Sequence, residues 1–171
     1  MQFFGRIRRP YRSRGEPNHA ITGECFRLVF LTTAEAEELY QSPKRIVDQQ
    51  VRWETSSTTG AFNIEVRLEL SDGTPLCIRG WYSPKSKRYG FALVFRGVWI
   101  RRWDDHRKNI APKGGKPMNG PHKHKHNPSN PDRGELYATN DVTTDNVNRA
   151  SVDFLKECNV DTTGLIYSGI L

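Results

Sequence analysis

The sequence predicts an α+β fold: an antiparallel meander sheet of four to five strands backed by two helices. Three observations carry that expectation. Ile64, Val66, Leu68 and Leu70 alternate with Glu65, Arg67 and Glu69, the period-2 pattern of a strand buried on one face. Asp72-Gly73 follows directly, a pair that favours a two-residue hairpin turn. Further on, Val147, Ala150, Phe154 and Cys158 fall at nearly helical spacing.

Taken in order, residues 1–22 read as a basic, irregular arm broken by Pro10, Gly15 and Pro17, and residues 23–171 as a single α+β domain. Glu24–Leu31 is an apolar strand or an extended lead into the core. Thr32 with Glu35 three residues later is a capping box, so a helix is expected over Thr33–Gln41 with Ala36, Leu39 and Tyr40 inward. Arg45–Trp53 is a candidate strand and Ser56–Gly60 a polar loop. The hairpin returns along Leu76–Tyr82, turns at Ser83–Lys87 into Tyr89–Phe95, and reverses at Arg96-Gly97 into Val98–Trp103. From Asp105 to Arg133, prolines 112, 117, 121, 128 and 131 exclude a helix or a long strand. A loop of that length, at about 105–133, is usually functional or disordered. Glu135–Thr139 is a short strand, and Thr144 caps a helix from Asp145 to about Glu157.

A chain of 171 residues can bury a core without disulfides or metals, and its 36% apolar content implies a modest core under a polar surface. No run of about 18 apolar residues offers a membrane span. Neither an apolar stretch nor a small-residue cleavage site follows the basic start, so no secretory signal is expected. Cys25, Cys77 and Cys158 are odd in number, far apart and set among apolar neighbours. They read as reduced, buried thiols of a cytoplasmic protein.

The net charge of +7 is concentrated in two places. Met1–Gly15 holds five arginines (Arg6, Arg8, Arg9, Arg12 and Arg14) and no acid, and Ile100–Asn127 holds eight bases against Asp104 and Asp105. Localised positive charge suits a polyanion, because each neutralised phosphate releases counterions. The alternative is a pair of solvated basic loops.

Four of the five histidines (His106, His122, His124 and His126) lie between Trp103 and His126. In an extended chain His122, His124 and His126 share one face and Lys123 and Lys125 the other. A plain solvated loop and a divalent-metal site both remain open. His-x-His can chelate through imidazole nitrogens with Asp104 adding an oxygen, although crowded lysines would repel the cation. A metal-free phosphodiester site needs a base for the 2′-hydroxyl proton, cations for the phosphorane and an acid for the leaving 5′-oxygen. His122, His124, His106 and Asp104 are the candidate catalytic residues. Arg101, Arg102, Lys123, Lys125 and the arm residues Arg6, Arg8 and Arg9 are the candidate nucleic-acid contacts. Trp103 is a candidate base-stacking platform, whereas Trp53, Trp81 and Trp99 read as core.

The segments RWDDH and GPHKH, followed by VDFLKEC, resemble a family of small prokaryotic proteins related to TumE-type toxins of toxin–antitoxin modules. The matching residues are Arg102, Trp103, Asp104, Pro121, His122, Lys123 and His124, within a resemblance covering roughly Arg79 to Cys158. It implies a nucleic-acid or translation-related activity and a cognate antitoxin partner. The leading expectation is a toxin-like endoribonuclease acting on RNA, with Arg102 and Lys123 holding phosphate and Asp104 orienting a histidine. A non-catalytic nucleic-acid- or protein-binding factor of mobile-element or anti-defence type is the alternative. A metal-dependent hydrolase is the third. Removing Met1–Gly15 is expected to weaken RNA binding and flatten its salt dependence without altering the fold. Equal RNA affinity of the intact chain at low and high salt would refute an electrostatic interface.

Overall fold

Thr32 and Glu35 close the expected capping box on α1 (Thr33–Gln41). The Thr32 hydroxyl accepts from the Glu35 amide at 3.2 Å, and the Glu35 carboxylate accepts from the Thr32 amide at 2.7 Å. The structure, a computed structural model, describes residues 30–48, 50–105, 120–131, 134–139, 141–143 and 145–170. The basic arm with Arg6, Arg8 and Arg9, most of the Glu24–Leu31 segment, Cys25 and His106 lie outside these residues.

After α1 come three short strands, β1 (Lys44–Ile46), β2 (Gln50–Arg52) and β3 (Glu54–Thr55). Four longer ones follow: β4 (Phe62–Glu69), β5 (Pro75–Ser83), β6 (Arg88–Phe95) and β7 (Val98–Asp104), paired antiparallel in chain order. The expected meander is therefore present, but it is only the centre of the sheet. β8 (His122–Lys125) and β9 (Glu135–Ala138) extend it antiparallel beyond β7. Then come α2 (Val147–Glu157), β10 (Val160–Asp161) and β11 (Ile166–Ser168).

Four expectations need correction. Among the described residues nine strands share one sheet, ordered β10-β1-β4-β5-β6-β7-β8-β9 with β3 also on β4. It is mixed because β10 lies parallel to β1, while β2 and β11 form a separate parallel pair. Arg45–Trp53 is thus divided between two sheets, and strands of two or three residues are too short to display a period. Second, β8 is regular structure inside a stretch expected to have none. Its residues are all polar and mostly buried, so no apolar alternation announces it. Third, α2 starts at Val147, two residues later than expected, with Asn146 as its N-cap accepting from the Arg149 amide at 3.0 Å; Thr144 lies outside the described residues. Fourth, the Asp72-Gly73 reversal is longer than two residues. The Gly73 amide donates to the Leu70 carbonyl at 3.0 Å, and Gly73 takes the left-handed conformation (φ 85°).

Alternation along β4, β5 and β6 sends Ile64, Val66, Leu68, Leu76, Ile78, Phe91 and Leu93 to one face. Ala36 of α1, Ala150, Phe154 and Leu155 of α2, and Cys158 at the C-terminal cap of α2 join that core. Phe91 stacks on Phe154 with ring centroids 5.7 Å apart. Each such side chain contributes about 1.5–3 kcal/mol by leaving water. No helix among the described residues is long and apolar enough to cross a membrane.

The sheet breaks its own parity once. Leu93 faces Arg101 but Val94 faces Trp99, so Ile100 is one residue too many and forms a β-bulge. Arg101 and Trp103 therefore turn toward the helices, while Trp99, Arg102 and Asp104 share the opposite face.

Lys44, 2% exposed, lies where both helices end. Its ammonium donates to the carbonyls of Tyr40, Ser42 and Cys158 at 2.8, 2.6 and 2.7 Å, satisfying acceptors that helix ends leave over. Burial pushes its pKa down to about 8. Lys44→Met is expected to cost about 2–4 kcal/mol in chemical denaturation, because it strands buried carbonyls. A loss below about 0.5 kcal/mol would show that water replaces the ammonium.

Candidate functional site

Pairing across β6, β7 and β8 assembles the site. Asp104 lies opposite Gly90 on one side and His122 on the other, and Arg102 lies opposite Ala92 and His124. Directly opposed residues of antiparallel strands project to the same face. The face away from the helices thus carries Arg102, Asp104, His122 and His124 as one group.

Asp104 is 2% exposed and His122 1%. The Asp104 Oδ2 accepts from the Arg102 Nε at 2.5 Å, lies 3.2 Å from the His124 Nε2 and 3.9 Å from the His122 Nε2. The charge-assisted bond to Arg102 offsets part of the cost of burying this carboxylate. The two imidazole centroids are 4.9 Å apart. His122 Nδ1 lies 2.9 Å from the Gly120 carbonyl, which can only accept. Nδ1 therefore carries a proton, and Nε2 is turned toward Asp104. Gly120, with φ 102°, makes the turn that aims this carbonyl. His126 is structural: its Nε2 donates to the Leu31 carbonyl at 3.0 Å and ties the end of β8 to the approach to α1.

The intervening residues face the helices. Arg101 pairs with Glu37 and covers the Tyr40 ring at 4.1 Å, fastening α1 to β7. Trp103 donates through Nε1 to Glu157 at 3.0 Å and meets Phe154 edge-on at 5.2 Å. Lys123 donates to Glu157 at 2.5 Å and Asp141 at 2.9 Å, with its ammonium 4.8 Å from the Trp103 ring centroid. Burial is the largest single influence on Lys123 and opposes its charge. The bonds to Glu157 and Asp141 together outweigh it and raise the pKa. Lys125 reaches Glu135 at 3.2 Å.

Of the nucleic-acid contacts expected from sequence, the described residues place only Arg102 beside the Asp–His group. Arg101, Trp103 and Lys123 are buried against the helices, and Lys125 is half-buried beside Glu135 of β9. The missed residues are Gly90, Trp81, Gly120, Asp141 and Glu157. Gly90 carried a legible signal, since a glycine inside a strand marks a close approach. A Cβ there would meet the Trp81 Nε1 at 2.8 Å and the Asp104 Oδ1 at 2.9 Å.

Asp104, His122 and His124 also each offer one ligand atom within 4.8 Å of the others, a donor set that a divalent metal accepts. The lysines expected to repel a cation lie on the other face of the sheet, where Lys123 is paired with Glu157 and Asp141. Arg102 opposes a cation more directly, because its guanidinium occupies the carboxylate oxygen that a metal would share.

A mixed sheet backed by two helices, with a buried carboxylate held among an arginine and two histidines, defines a small α+β protein built around one polar centre. The family model for Toxin TumE matches residues 36–161, from within α1 to the end of β10 and across the whole centre. The chain belongs to the TumE toxin family, toxins of the toxin–antitoxin type. No curated protein and no solved structure matches it.

Lys123→Met is expected to destabilise the fold by about 2–4 kcal/mol, since it leaves Glu157 and Asp141 without their cation. RNA affinity of the folded fraction should be unchanged. Unaltered stability with a loss of affinity of several-fold would instead return Lys123 to the phosphate contacts.

Proposed function

We propose that this toxin is an endoribonuclease whose centre is Arg102, Asp104, His122 and His124, working by proton transfer without a metal. The observation that carries this reading is the asymmetry of the two imidazoles around one carboxylate. His122 is fixed through Nδ1 by the Gly120 carbonyl with its Nε2 turned toward Asp104 at 3.9 Å, while His124 sets its Nε2 against Asp104 at 3.2 Å. One is arranged as a base and the other as an acid.

His122 takes the proton from a ribose 2′-hydroxyl as the 2′-oxygen attacks the adjacent phosphorus. The bond from phosphorus to the 5′-oxygen breaks, and His124, oriented by Asp104, gives that oxygen a proton. The products are a 2′,3′-cyclic phosphate and a 5′-hydroxyl. Arg102 is the member of the group that reaches solvent, with 32% of its side chain exposed. Its outward N–H groups hold the phosphorane charge. A cognate antitoxin, the partner that the family brings, would silence this activity.

A metal-dependent hydrolase is the second reading, favoured by the spacing of the same three donors. One set of assays separates the two. His122→Ala and His124→Ala are each expected to cut RNA turnover by about 100-fold or more, with chelator having no effect. Asp104→Asn is expected to lower turnover and to cost about 1–3 kcal/mol, more than a surface change, because it is buried on Arg102. A 2′-deoxy sugar at the cleaved position should block the reaction. Stoichiometric bound metal, with activity lost on its removal, would establish the hydrolase instead. Binding of RNA with no turnover by the wild type would make the protein a non-catalytic binding factor.

A further inference from the structure

The hairpin between β5 and β6 turns at residues 84–87 and, with the first residue of β6, gathers Lys85, Lys87 and Arg88 without an intervening acid. Register fixes which end of the sheet this is. Ser83 pairs with Arg88, Tyr82 with Tyr89 and Trp81 with Gly90, while Gly90 lies opposite Asp104, which itself lies opposite His122. The turn therefore sits at the end where Asp104 closes β7 and His122 opens β8. Arg88 and Gly90 are two residues apart on one strand and project to the same face, the one away from the helices. Arg88 is thus a diagonal neighbour of Asp104, about 7–8 Å away between backbones.

Charge pairing sets these three cations apart. Elsewhere in the sheet Arg67 is answered by Asp48, Arg79 by Glu65, Arg102 by Asp104 and Lys123 by Glu157. Among the described residues no carboxylate pairs with Lys85, Lys87 or Arg88. Lys85 and Lys87 are exposed and Arg88 is half-buried. The neighbouring acids Asp105 and Asp145 act from the helix side. Burial first, and then their charges, raise the phenol of Tyr89, which points into the core. Four residues of β6, about 13 Å of strand, separate Arg88 from Ala92, the partner of Arg102. Over that span β6 presents only Gly90 and Ala92 to the open face, its two smallest residues, with Asp104 and His122 beside Gly90. Cations therefore bracket the Asp–His group along one strand, Arg102 at one end and the hairpin at the other.

We infer that Lys85, Lys87 and Arg88 form a second phosphate subsite, which binds the RNA backbone beside the phosphodiester held at Arg102. This rests on the ribonuclease reading and deepens it: the substrate is a strand that extends past the cleaved step, and a dinucleotide without the flanking phosphate is a poor one. Unpaired cations have no carboxylate to give up, and each phosphate they neutralise releases counterions. Contacts of this kind position a strand and read no sequence.

The test uses the full chain and a single-stranded 2′-O-methyl oligoribonucleotide, which keeps the phosphates and cannot be cleaved. Lys85→Gln, Lys87→Gly and Arg88→Gln combined should lower affinity about 10-fold or more in dilute salt, and flatten the slope of log affinity against log salt by about 2. A charge-matched control, Arg45→Gln, Arg149→Gln and Lys156→Gln, removes three exposed bases elsewhere and should change both far less. Lys87 is left-handed (φ 52°), so Lys87→Gly alone suits the backbone; it should flatten the slope by about 1 even where the triple variant folds poorly. On a cleavable strand the hairpin triple should raise KM and leave kcat nearly intact, and on a dinucleotide it should match the wild type. Equal losses in the two triples assign the effect to net charge and overturn the subsite. Unchanged RNA affinity in the hairpin triple overturns it as well, and lost neutralisation by the cognate antitoxin in that variant would make the hairpin a protein contact. A fall in kcat on the dinucleotide also overturns it. A wild type that binds without cleaving, with the hairpin losses intact, supports the subsite and sinks the ribonuclease reading. A wild type that binds no RNA removes both proposals.

Discussion

The β-bulge at Ile100 turns Arg102 and Asp104 onto the face that Trp99 occupies, and the composition of the centre depends on that change of parity. With strict alternation from Trp99, the side chains of Arg101 and Trp103 would point outward and the Asp104 carboxylate would enter the apolar core. Instead Arg101 and Trp103 fasten the helices, and the carboxylate meets two imidazoles. The extra residue is also used: the Ile100 carbonyl accepts from the His126 amide at 2.9 Å, so the irregular point of β7 holds the end of β8. Bulges next to functional groups commonly re-aim side chains in this way.

Charge in this half of the sheet is arranged in two separate accounts, one on each side of the same strands. On the helix side Lys123 answers Glu157 and Asp141, and Arg101 answers Glu37. On the other side Arg102 answers Asp104. A buried charge is tolerated only when paired and hydrogen-bonded, so each group depends on its partner more than the pair contributes in sum. The sequence HKHK alternates between the two sides, which is why four polar residues form a strand at all.

How much of this was legible follows from which signals are local. The capping box of Thr32 and Glu35, the alternation along β4 and the helical spacing of Ala150 and Phe154 are local patterns, and each maps onto an observed element. The grouping of Asp104 with His122 and His124 was approached through residue chemistry and family resemblance, and the register of β7 on β8 brings these side chains together. The roles of Lys123 and Trp103 were not legible, because Glu157 and Phe154 come from a helix more than 30 residues away along the chain. Period alone could not reveal a single-residue bulge, and strands of two or three residues offer too few positions to alternate.

β8 is hydrogen-bonded on both flanks, to β7 and to β9, and its side chains enter the core from one side and the centre from the other. The histidines consequently ride on a central strand and not on a mobile loop. Opening the centre means breaking two ladders and the Lys123 contacts together. Geometry of that kind is fixed before any ligand arrives, and the conformational entropy of arranging the four side chains has already been met in folding.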